Sequence, residues 1–371
     1  MKEKNNNSKE QKLYETLRND IRGGNFKKTI SKDFSEVKEY FFNEERKKQL
    51  SGMGKIKRFF YISWWLLKEL LFKLTPVRRL LLVIGIFFTL STGSIGIHGG
   101  DSFTISRDTS FIGGIIILFI LMLELKDKLI AKDELSIGKS VQRELTPKNN
   151  HKIPGWEIWL YTNSANEVGG DLVDIIKLDK SKYGITIADV SGKGLGAALL
   201  MAKLQTIIRA FAPDYSSIAE LGKKINNAFY KDILPNSFAS MAYFQISENS
   251  NQIEIVNAGH LPPVILRSGA VTELEKGNIA LGLVEESTYQ TKSVNLSDGD
   301  YLIAYSDGLT EARNIYGTFF GMERLKLFLE RLNDITAEQL GKKILNYINL
   351  FTEDAKKHDD LSIVVIKKTE I

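Results

Sequence analysis

The 371-residue sequence contains no cysteine and only four histidines. The missing cysteine excludes disulfides, thiolate-bound zinc and a phosphatase that uses a cysteine nucleophile. Four histidines argue against a histidine-rich metal site. Aspartate is then the remaining ligand type, and its carboxylate favours a hard cation such as Mg²⁺ or Mn²⁺.

The glycine-rich turn in "ITIADVSGKGLGAALLMAK", which starts at Ile185, does not form a Walker-type phosphate loop. Such a loop needs glycine five positions before the Gly-Lys pair and Ser or Thr after it. Those positions hold Ile187 and Gly194. The remaining candidate is Asp189, the acid at the end of the apolar run, as a metal ligand.

The chain before this region divides by composition. Residues 1–57 are polar and lysine-rich without an apolar signal-peptide core, which predicts a cytoplasmic segment. Acids are interleaved with its lysines, so nucleic acid is not an expected partner. Residues 58–75 are rich in aromatics but hold Lys68 and Glu69 mid-run, which predicts an interfacial helix that Pro76 ends.

Two apolar runs predict transmembrane helices over 79–98 and 111–126, joined by a short outer loop over 99–110. A buried pair of soluble helices is the alternative, although such helices normally keep a polar face. The flanking basic residues are Lys73, Arg78 and Arg79 before the first run, and Lys126, Lys128 and Lys132 after the second. By the positive-inside rule, the chain is multi-pass in the bacterial cytoplasmic membrane, with both termini and the C-terminal domain cytoplasmic.

Residues 127–147 predict a linker helix. Leu125 and Leu129, then Ile137, Val141 and Leu145, recur at four-residue spacing, and Pro147 follows. The segment "AKDE" interrupts this apolar stripe, so a sustained coiled coil does not follow. Two interpretations stay open: a spacer, and a helix that forms a homodimer and transmits a state from the membrane.

Residues 148–371 form the C-terminal domain. Short runs rich in β-branched and aromatic residues predict nine strands, from "WEIWLYTNS" to "LSIVVIKK". Helical patterns intervene at "LGAALLMAKLQTIIRAF", "SIAELGKKINNAFY", "ERLKLFLERL" and "AEQLGKKILNYINLF". Helices grouped in pairs among hairpin-like strands predict a layered α+β domain.

Four acids lie where a predicted strand meets a turn: Asp171, Asp189, Asp307 and Asp359. A single Asp beside Gly is most often only a turn residue. Four acids among apolar strands would repel one another and lose solvation unless a cation lay between them. The set therefore predicts a metal site.

The segment from Glu134 to Ile371 resembles the metal-dependent Ser/Thr protein phosphatases (protein phosphatase 2C-like), in the bacterial branch of the stage II sporulation protein E type. The resemblance runs through an ordered set of motifs: "ELSIGKSVQRELTP", "NEVGGDLVD", "IADVSGKGLGAALLM", "NAGHLPPVIL", "DGDYLIAYSDGLTEARN", "FGMERL" and "HDDLSIVV". It implies an αββα sandwich of four layers with two Mn²⁺ or Mg²⁺ ions at one end.

The resemblance also implies roles for individual residues. Asp189 matches the ligand that bridges the ions, with the carbonyl of Val190 helping the second ion. Asp307 and Asp359 match the other ligands of the first ion, and Asp171 matches the acid that serves the second. Asp189 and Asp171 would thereby carry catalysis, with a metal-activated water as the nucleophile.

Several positions depart from the family pattern or leave it open. Ser191 stands where related eukaryotic enzymes have a histidine, so the general acid is unassigned. His260 either replaces it or braces its turn. Lys193 meets either a phosphate or solvent. Asp360 competes with Asp359 as ligand, and Asp174 is expected to support the site rather than bind metal.

The resemblance implies a phosphoserine/phosphothreonine phosphatase whose substrate is a phosphorylated STAS-domain anti-anti-sigma protein, and the apolar runs predict that it is membrane-anchored. A catalytically inactive membrane sensor is the alternative, but all four acids are retained. "GGDLV" also invites comparison with diguanylate cyclases. Leu172 and Val173 break that signature, and the later acids would be unexplained.

Overall fold

The computed structural model describes residues 53–91, 94–99, 103–231, 233–332, 334–353, 355 and 357–370. Most of the predicted segment 1–57 lies outside these residues. The chain divides into two compact units, Met1–Lys128 and Leu129–Ile371.

The N-terminal unit begins with two consecutive helices. Helix α1 spans Lys55–Lys73, which confirms a helix at the predicted position 58–75. Helix α2 spans Pro76–Leu90 and has its proline in the first turn. Leu74 and Thr75 are extended, because a proline disfavours the helical conformation in the residue before it and caps the start of a new helix.

The helix predicted over 79–98 is wrong in its second half. Helix α2 ends at Leu90, and strand β1 (Ser94–Gly99) pairs antiparallel with β2 (Phe103–Asp108). The predicted outer loop over 99–110 is therefore largely the second strand of a hairpin. The two-residue alternation of Ile95 and Ile97 among small residues is a strand pattern, and overall hydropathy concealed it.

Helix α3 spans Thr109–Leu145, so the predicted second apolar helix and the linker helix are one continuous helix. It ends two residues before Pro147, as predicted. Helices α2 and α3 approach closely at Gly85 and Gly113, where a Cβ on Gly113 would collide with the Gly85 carbonyl and with Thr89. Small residues at a helix crossing permit such backbone contact, a mode common between membrane helices.

Among the described residues, one helical stretch, Leu195–Asp214, is long and apolar enough to cross a bilayer. Its side chains Met201, Leu204 and Ile208 are buried in the core of the C-terminal unit. This stretch is therefore a core helix of that unit, and the membrane spans predicted elsewhere stay predictions.

The C-terminal unit contains two antiparallel sheets. The six-stranded sheet has the order β10-β9-β12-β13-β4-β3, and the five-stranded sheet has the order β11-β8-β7-β6-β5. The strands of the first sheet are β3 (Asn150–Ile153), β4 (Trp156–Asn163), β9 (Val264–Arg267), β10 (Ala270–Glu273), β12 (Tyr301–Tyr305) and β13 (Leu361–Lys368). Those of the second are β5 (Asp171–Lys177), β6 (Lys182–Val190), β7 (Ala239–Ser247), β8 (Gln252–Ala258) and β11 (Lys292–Asn295).

Helices cover the outer face of each sheet. Helices α4 (Leu195–Phe211) and α5 (Ile218–Tyr230) share an apolar core with the five-stranded sheet. Helices α7 (Gly321–Leu329) and α8 (Ala337–Thr352) share another with the six-stranded sheet. A third core, with Ile187, Phe244 and Val364, fills the space between the sheets. The predicted α+β class and its layered arrangement are confirmed.

All nine predicted strands and four helices of this unit are present. The structure adds β3, β10 and the short helix α6 (Asp307–Thr310). Alternation along the inner strands decides which side chains enter the core between the sheets. Asp171 shares the face of Val173, and Asp189 shares that of Ile185 and Ile187. Both acids therefore lie at the rim of the space between the sheets.

Candidate metal centre

Asp171 and Asp189 face each other across neighbouring strands. Asp171 is the first residue of β5 and pairs in register with Asp189, the penultimate residue of β6. Like charges directly opposite in an antiparallel pair are destabilising. Asp171 is buried, and its Oδ2 has no hydrogen-bond partner. An orphaned, buried carboxylate oxygen is an expensive group unless a proton or a cation accompanies it.

The electrostatics of the pair follow from burial and repulsion. Burial, reinforced by Asp307, Asp359 and Asp360, raises the pKa of Asp189 to about 6. Burial and the charge of Asp189 raise the pKa of Asp171 well above its usual range. The pKa of Asp307 is also raised, first by burial and then by Asp359. Each shift means that the ionised form lacks compensation by protein groups.

The glycines of "EVGGD" make room for the other groups of the site. A Cβ on Gly170 would lie 2.8 Å from the carbonyl oxygen of Val190, and one on Gly169 would collide with the Asp360 carboxylate. The loop before Asp171 therefore packs directly on the end of β6. The Val190 carbonyl, the predicted backbone ligand, lies at the same rim as the two acids.

Asp307 comes from the opposite sheet, directly after β12. It is the first residue of α6, preceded by the buried Ser306. Ser306 Oγ donates to the Asp360 carbonyl (3.2 Å) and accepts from Ser362 N (2.9 Å). Gly308 is required because a Cβ there would collide with the Asp360 carbonyl. The motif "SDG" thus locks the end of β12 to the start of β13.

The adjacent acids Asp359 and Asp360 have different surroundings. Both oxygens of Asp360 accept backbone N–H bonds of 2.8 Å, from Ala165 and from Gly170. Asp360 therefore holds the loop that leads to Asp171. Asp359 is half-buried, and its charge contributes to the raised pKa of Asp189. This division of labour favours Asp359 as the ligand, and the assignment stays a prediction.

Lys193 is exposed to solvent, as one of its two predicted placements has it, and it also pairs with an acid. Its Nζ lies 2.8 Å from Asp359 Oδ2 and donates to the His358 carbonyl at 2.7 Å. The neighbouring glycines Gly192 and Gly194 both have positive φ, a conformation that side-chain-bearing residues rarely adopt. The turn after Asp189 therefore folds back toward the start of β13.

His260 braces its own turn. Its ring Nδ1 lies 2.9 Å from Ser240 Oγ, and its backbone N–H donates to Asn257 Oδ1 at 2.8 Å. Burial lowers the pKa of His260 to about 4, so the ring is neutral near pH 7. Ser191, the other candidate for a general acid, accepts from Phe238 N through its hydroxyl. Neither residue is placed as a proton donor to a leaving group.

Asp174 supports the fold rather than the metal site. It is fully buried, and its two oxygens accept from Arg209 Nε and Nη2, each at 2.7 Å. Its face of β5 is the one covered by α4, opposite to the face of Asp171. The expectation that Asp174 is not a ligand agrees with this placement.

Gln142, near the end of α3, is a residue that sequence reasoning missed. Its Nε2 donates to the Gly169 carbonyl at 2.9 Å, and its Oε1 accepts from Gly169 N at 3.2 Å. Gln205 Nε2, on α4, donates to the Leu145 carbonyl at the end of the same helix. The sequence signal was a polar residue one position after Val141 of the apolar stripe.

The acids fit a divalent cation by the chemistry of their carboxylate oxygens. Among the described residues, no three acidic or histidine side chains stand close enough to hold a metal ion as they are placed. Two observations nevertheless point to a cation: the orphaned Asp171 oxygen and the raised pKa values of three acids.

Comparison with known proteins gives the same answer for the fold. The structure of the SiaA-PP2C domain of Pseudomonas aeruginosa superposes with a TM-score of 0.56 at 18% identity, covering 65% of this chain and 98% of that one. The protein is similar in sequence to phosphoserine phosphatase RsbU of Bacillus subtilis, 26% identical over 64% of this chain and 70% of the relative. It is also similar to phosphoserine phosphatase RsbP of the same organism, 29% identical over 64% of this chain and 59% of the relative.

The two stacked sheets, their covering helices and the acids at one rim define a phosphatase domain of the PP2C type. The sequence model of one family, Stage II sporulation protein E (SpoIIE), matches residues 179–369. The chain belongs to this family.

Proposed function

We propose that this protein is a membrane-attached phosphatase that hydrolyses phosphoserine or phosphothreonine in a protein substrate. Its enzyme class, a protein Ser/Thr phosphatase, follows from the family and from the PP2C-type fold. The proposed reaction rests on one observation. Asp171 and Asp189 lie at the same rim as the ends of β12 and β13.

The residues that would hold two divalent cations are Asp171, Asp189, Asp307, Asp359 and the Val190 carbonyl. When bound, Mn²⁺ or Mg²⁺ supplies Lewis acidity and lowers the pKa of a bound water. The chain holds Asp189 within strand β6. Asp360 holds the loop before Asp171 in place. The general acid stays unassigned, and water is one candidate for protonating the departing serine or threonine oxygen.

The proposed substrate is a phosphorylated STAS-domain anti-anti-sigma protein. Support comes from relatives: two curated ones are phosphoserine phosphatases, RsbU and RsbP. The substrate's identity is carried over by similarity, since this fold serves many phosphoproteins.

Membrane attachment is proposed for the N-terminal unit, with both termini and the catalytic domain cytoplasmic. Helices α2 and α3 expose large apolar side chains, including Leu80, Phe87, Phe111 and Leu118. Exposed apolar surface of this extent is costly in water and suits a lipid environment. Arg78 forms ion pairs of 2.7 Å with Glu124 and Asp127, so the charged ends of the two helices lie on one side.

The linker part of α3 is proposed to couple a homodimer to the metal site. Ile137 and Val141 are largely exposed, a quarter turn from Gln142 on the helix, which leaves an apolar stripe for a second copy. Gln142 binds Gly169, two residues before Asp171. A rotation of the helix would therefore move the loop that presents Asp171.

The experiment is phosphate release from a phosphoserine-bearing STAS protein by the purified full-length chain in Mn²⁺, Mg²⁺ or EDTA. We expect release with either metal and none in EDTA. Asp189→Asn should reduce kcat/KM by roughly 10³-fold, because several kcal/mol of charge stabilisation disappear with the bridging carboxylate.

Asp214→Asn, a substitution at an acid outside the site, is the matched control and should keep the activity of the unchanged protein. Release that survives both EDTA and Asp189→Asn would contradict the proposed metal-dependent reaction. Cleavage of phosphotyrosine protein but not phosphoserine protein would contradict the proposed substrate class.

A further inference from the structure

The ion pair between Lys193 and Asp359 has a chemical consequence for the metal site. Lys193 Nζ lies 2.8 Å from Asp359 Oδ2, the distance of a charge-assisted hydrogen bond. The remaining oxygen, Oδ1, accepts from the backbone N–H of Asp360. Both oxygens of the predicted ligand are therefore already engaged by protein donors.

The position of Lys193 is determined by the backbone rather than by chance packing. Gly192 has φ 103° and Gly194 has φ 72°, and no atom would obstruct a side chain at either position. These positions therefore need glycine for its backbone conformation and not to avoid a steric clash. Their turn places Lys193 between the end of β6 and the start of β13. The ammonium also donates to the His358 carbonyl at 2.7 Å, which fixes it beside Asp359.

The contrast among the acids supports a specific role for this contact. Asp171 and Asp189 form no ion pair with any described residue, whereas Asp359 is paired with Lys193. An ammonium bound at Asp359 Oδ2 takes up one lone pair of that oxygen and repels a divalent cation that approaches the same carboxylate. The pair is half-exposed, with side-chain exposures of 56% for Lys193 and 39% for Asp359, so it is weak enough to break.

We infer that the Lys193 ammonium pairs with the Asp359 carboxylate in the metal-free protein and must withdraw before Asp359 can bind a divalent ion. The cavity of about 260 Å³ beside Asp359, which Lys193 lines together with Arg313 and Lys357, gives the displaced side chain room to move. This inference rests on the proposed function, because it requires Asp359 to be a metal ligand. It adds a barrier to metal loading that the chain itself provides.

The test is calorimetric titration of the full-length protein with Mn²⁺ at neutral pH. Lys193→Met keeps most of the side-chain length and removes the ammonium. We expect Mn²⁺ to bind threefold to tenfold more tightly in this variant, from loss of the pair and of repulsion between the ammonium and the metal.

Lys357→Met is the matched control, since it removes the same charge from the wall of the same cavity without an ion pair to Asp359. It should change the Mn²⁺ affinity less than twofold. In an Asp359→Asn background, Lys193→Met should have no more effect than this control, because the competing oxygen is gone. Lys193→Arg, which retains the pair, should bind Mn²⁺ as the unchanged protein does.

An affinity for Mn²⁺ that is equal or weaker in Lys193→Met than in Lys357→Met would overturn the inference. The same conclusion would follow if Lys193→Met gave an equal gain with and without Asp359. Failure of the unchanged protein and of Lys193→Met to bind any Mn²⁺ would instead contradict the proposed function. Thermal melts of each variant in EDTA establish that all are folded before the titration.

Discussion

The two sheets supply the two sides of the acidic rim in different ways. The five-stranded sheet contributes Asp171 and Asp189, which lie within strands, are largely buried and form no ion pair with a described residue. The six-stranded sheet contributes Asp307 and Asp359, which follow or precede strands and are more exposed. Asp359 already has Lys193.

This difference separates two kinds of acid in one site. The buried side of the rim, Asp171 and Asp189, is costly in its ionised form, and only a proton or a cation removes that cost. The exposed side is partly neutralised by the chain itself. If the proposed site binds metal, it should draw most of its stabilisation from Asp171 and Asp189, and Asp307 and Asp359 would complete the proposed ligand set.

The largest structural effect is expected from Gly170→Ala, which crowds the contact between the Asp171 loop and the end of β6. Its Cβ would lie 2.8 Å from the Val190 carbonyl oxygen and 3.1 Å from Ala197, so strand ends must separate. We expect a loss of about 1–3 kcal/mol in the free energy of unfolding. Urea unfolding of the metal-free protein measures this loss.

Gly196→Ala is the matched control for that substitution. Nothing lies within 4 Å of the new Cβ, and alanine favours the helix in which Gly196 lies by up to about 1 kcal/mol. Equal stability of the two variants would show that the close contact between the Asp171 loop and β6 is not rigid.

An effect of comparable size is expected from Gln142→Ala, which loosens the Asp171 loop from α3. Two hydrogen bonds are lost, and the N–H and C=O of Gly169 lose their Gln142 partner, which costs about 1–3 kcal/mol. If this free energy serves to position Asp171, kcat should fall about tenfold in saturating Mn²⁺. Lys139→Ala, which removes only an exposed ion pair with Glu167, should change kcat less than twofold.

An unchanged kcat in Gln142→Ala, with normal folding, would mean that the linker helix does not support the buried side of the site. The five-stranded side would then be positioned by Asp360 alone.

The smallest effect concerns pH. Because the pKa of Asp189 is raised to about 6 in the folded protein, the folded state binds more protons than the unfolded state between about pH 4 and pH 6. The contribution of this group to stability is therefore present below pH 4 and is lost as pH rises through 6. In EDTA, the melting temperature should fall over this range by a few degrees.

Asp189→Asn should flatten that pH dependence, because the titrating carboxylate is removed. A melting temperature in EDTA that instead rises from pH 4 to pH 6 in the unchanged protein, and equally in Asp189→Asn, would show that these acids are compensated by some other group.

The sequence predicted the catalytic unit well because its signals are local. Strand alternation, the capped helices and the four acids beside turns are each set within a few residues, as in the capping box of Thr336 and Gln339 that begins α8. The ordered motifs also identified the family. Alternation along β5 even separates Asp171 from Asp174, which point to opposite faces.

What the sequence did not predict depends on contacts between distant segments. Asp360 and Gly170 are 190 positions apart, and Lys193 and Asp359 are 166 apart, so no local pattern reveals either bond. The hairpin formed by β1 and β2 was missed for another reason. Its isoleucines extended the apolar run that was assigned to a helix. Their two-residue spacing, which favours a strand, was overlooked.

The central claim is that the acidic rim is a two-cation site in which Asp189 is shared. Calorimetric titration of the full-length protein with Mn²⁺ near pH 6, in buffers of different ionisation enthalpy, tests it most directly. We predict two Mn²⁺ ions per chain, release of protons on binding, and loss of at least one ion in Asp189→Asn. Absence of binding, or two ions bound equally in both proteins, would contradict the claim.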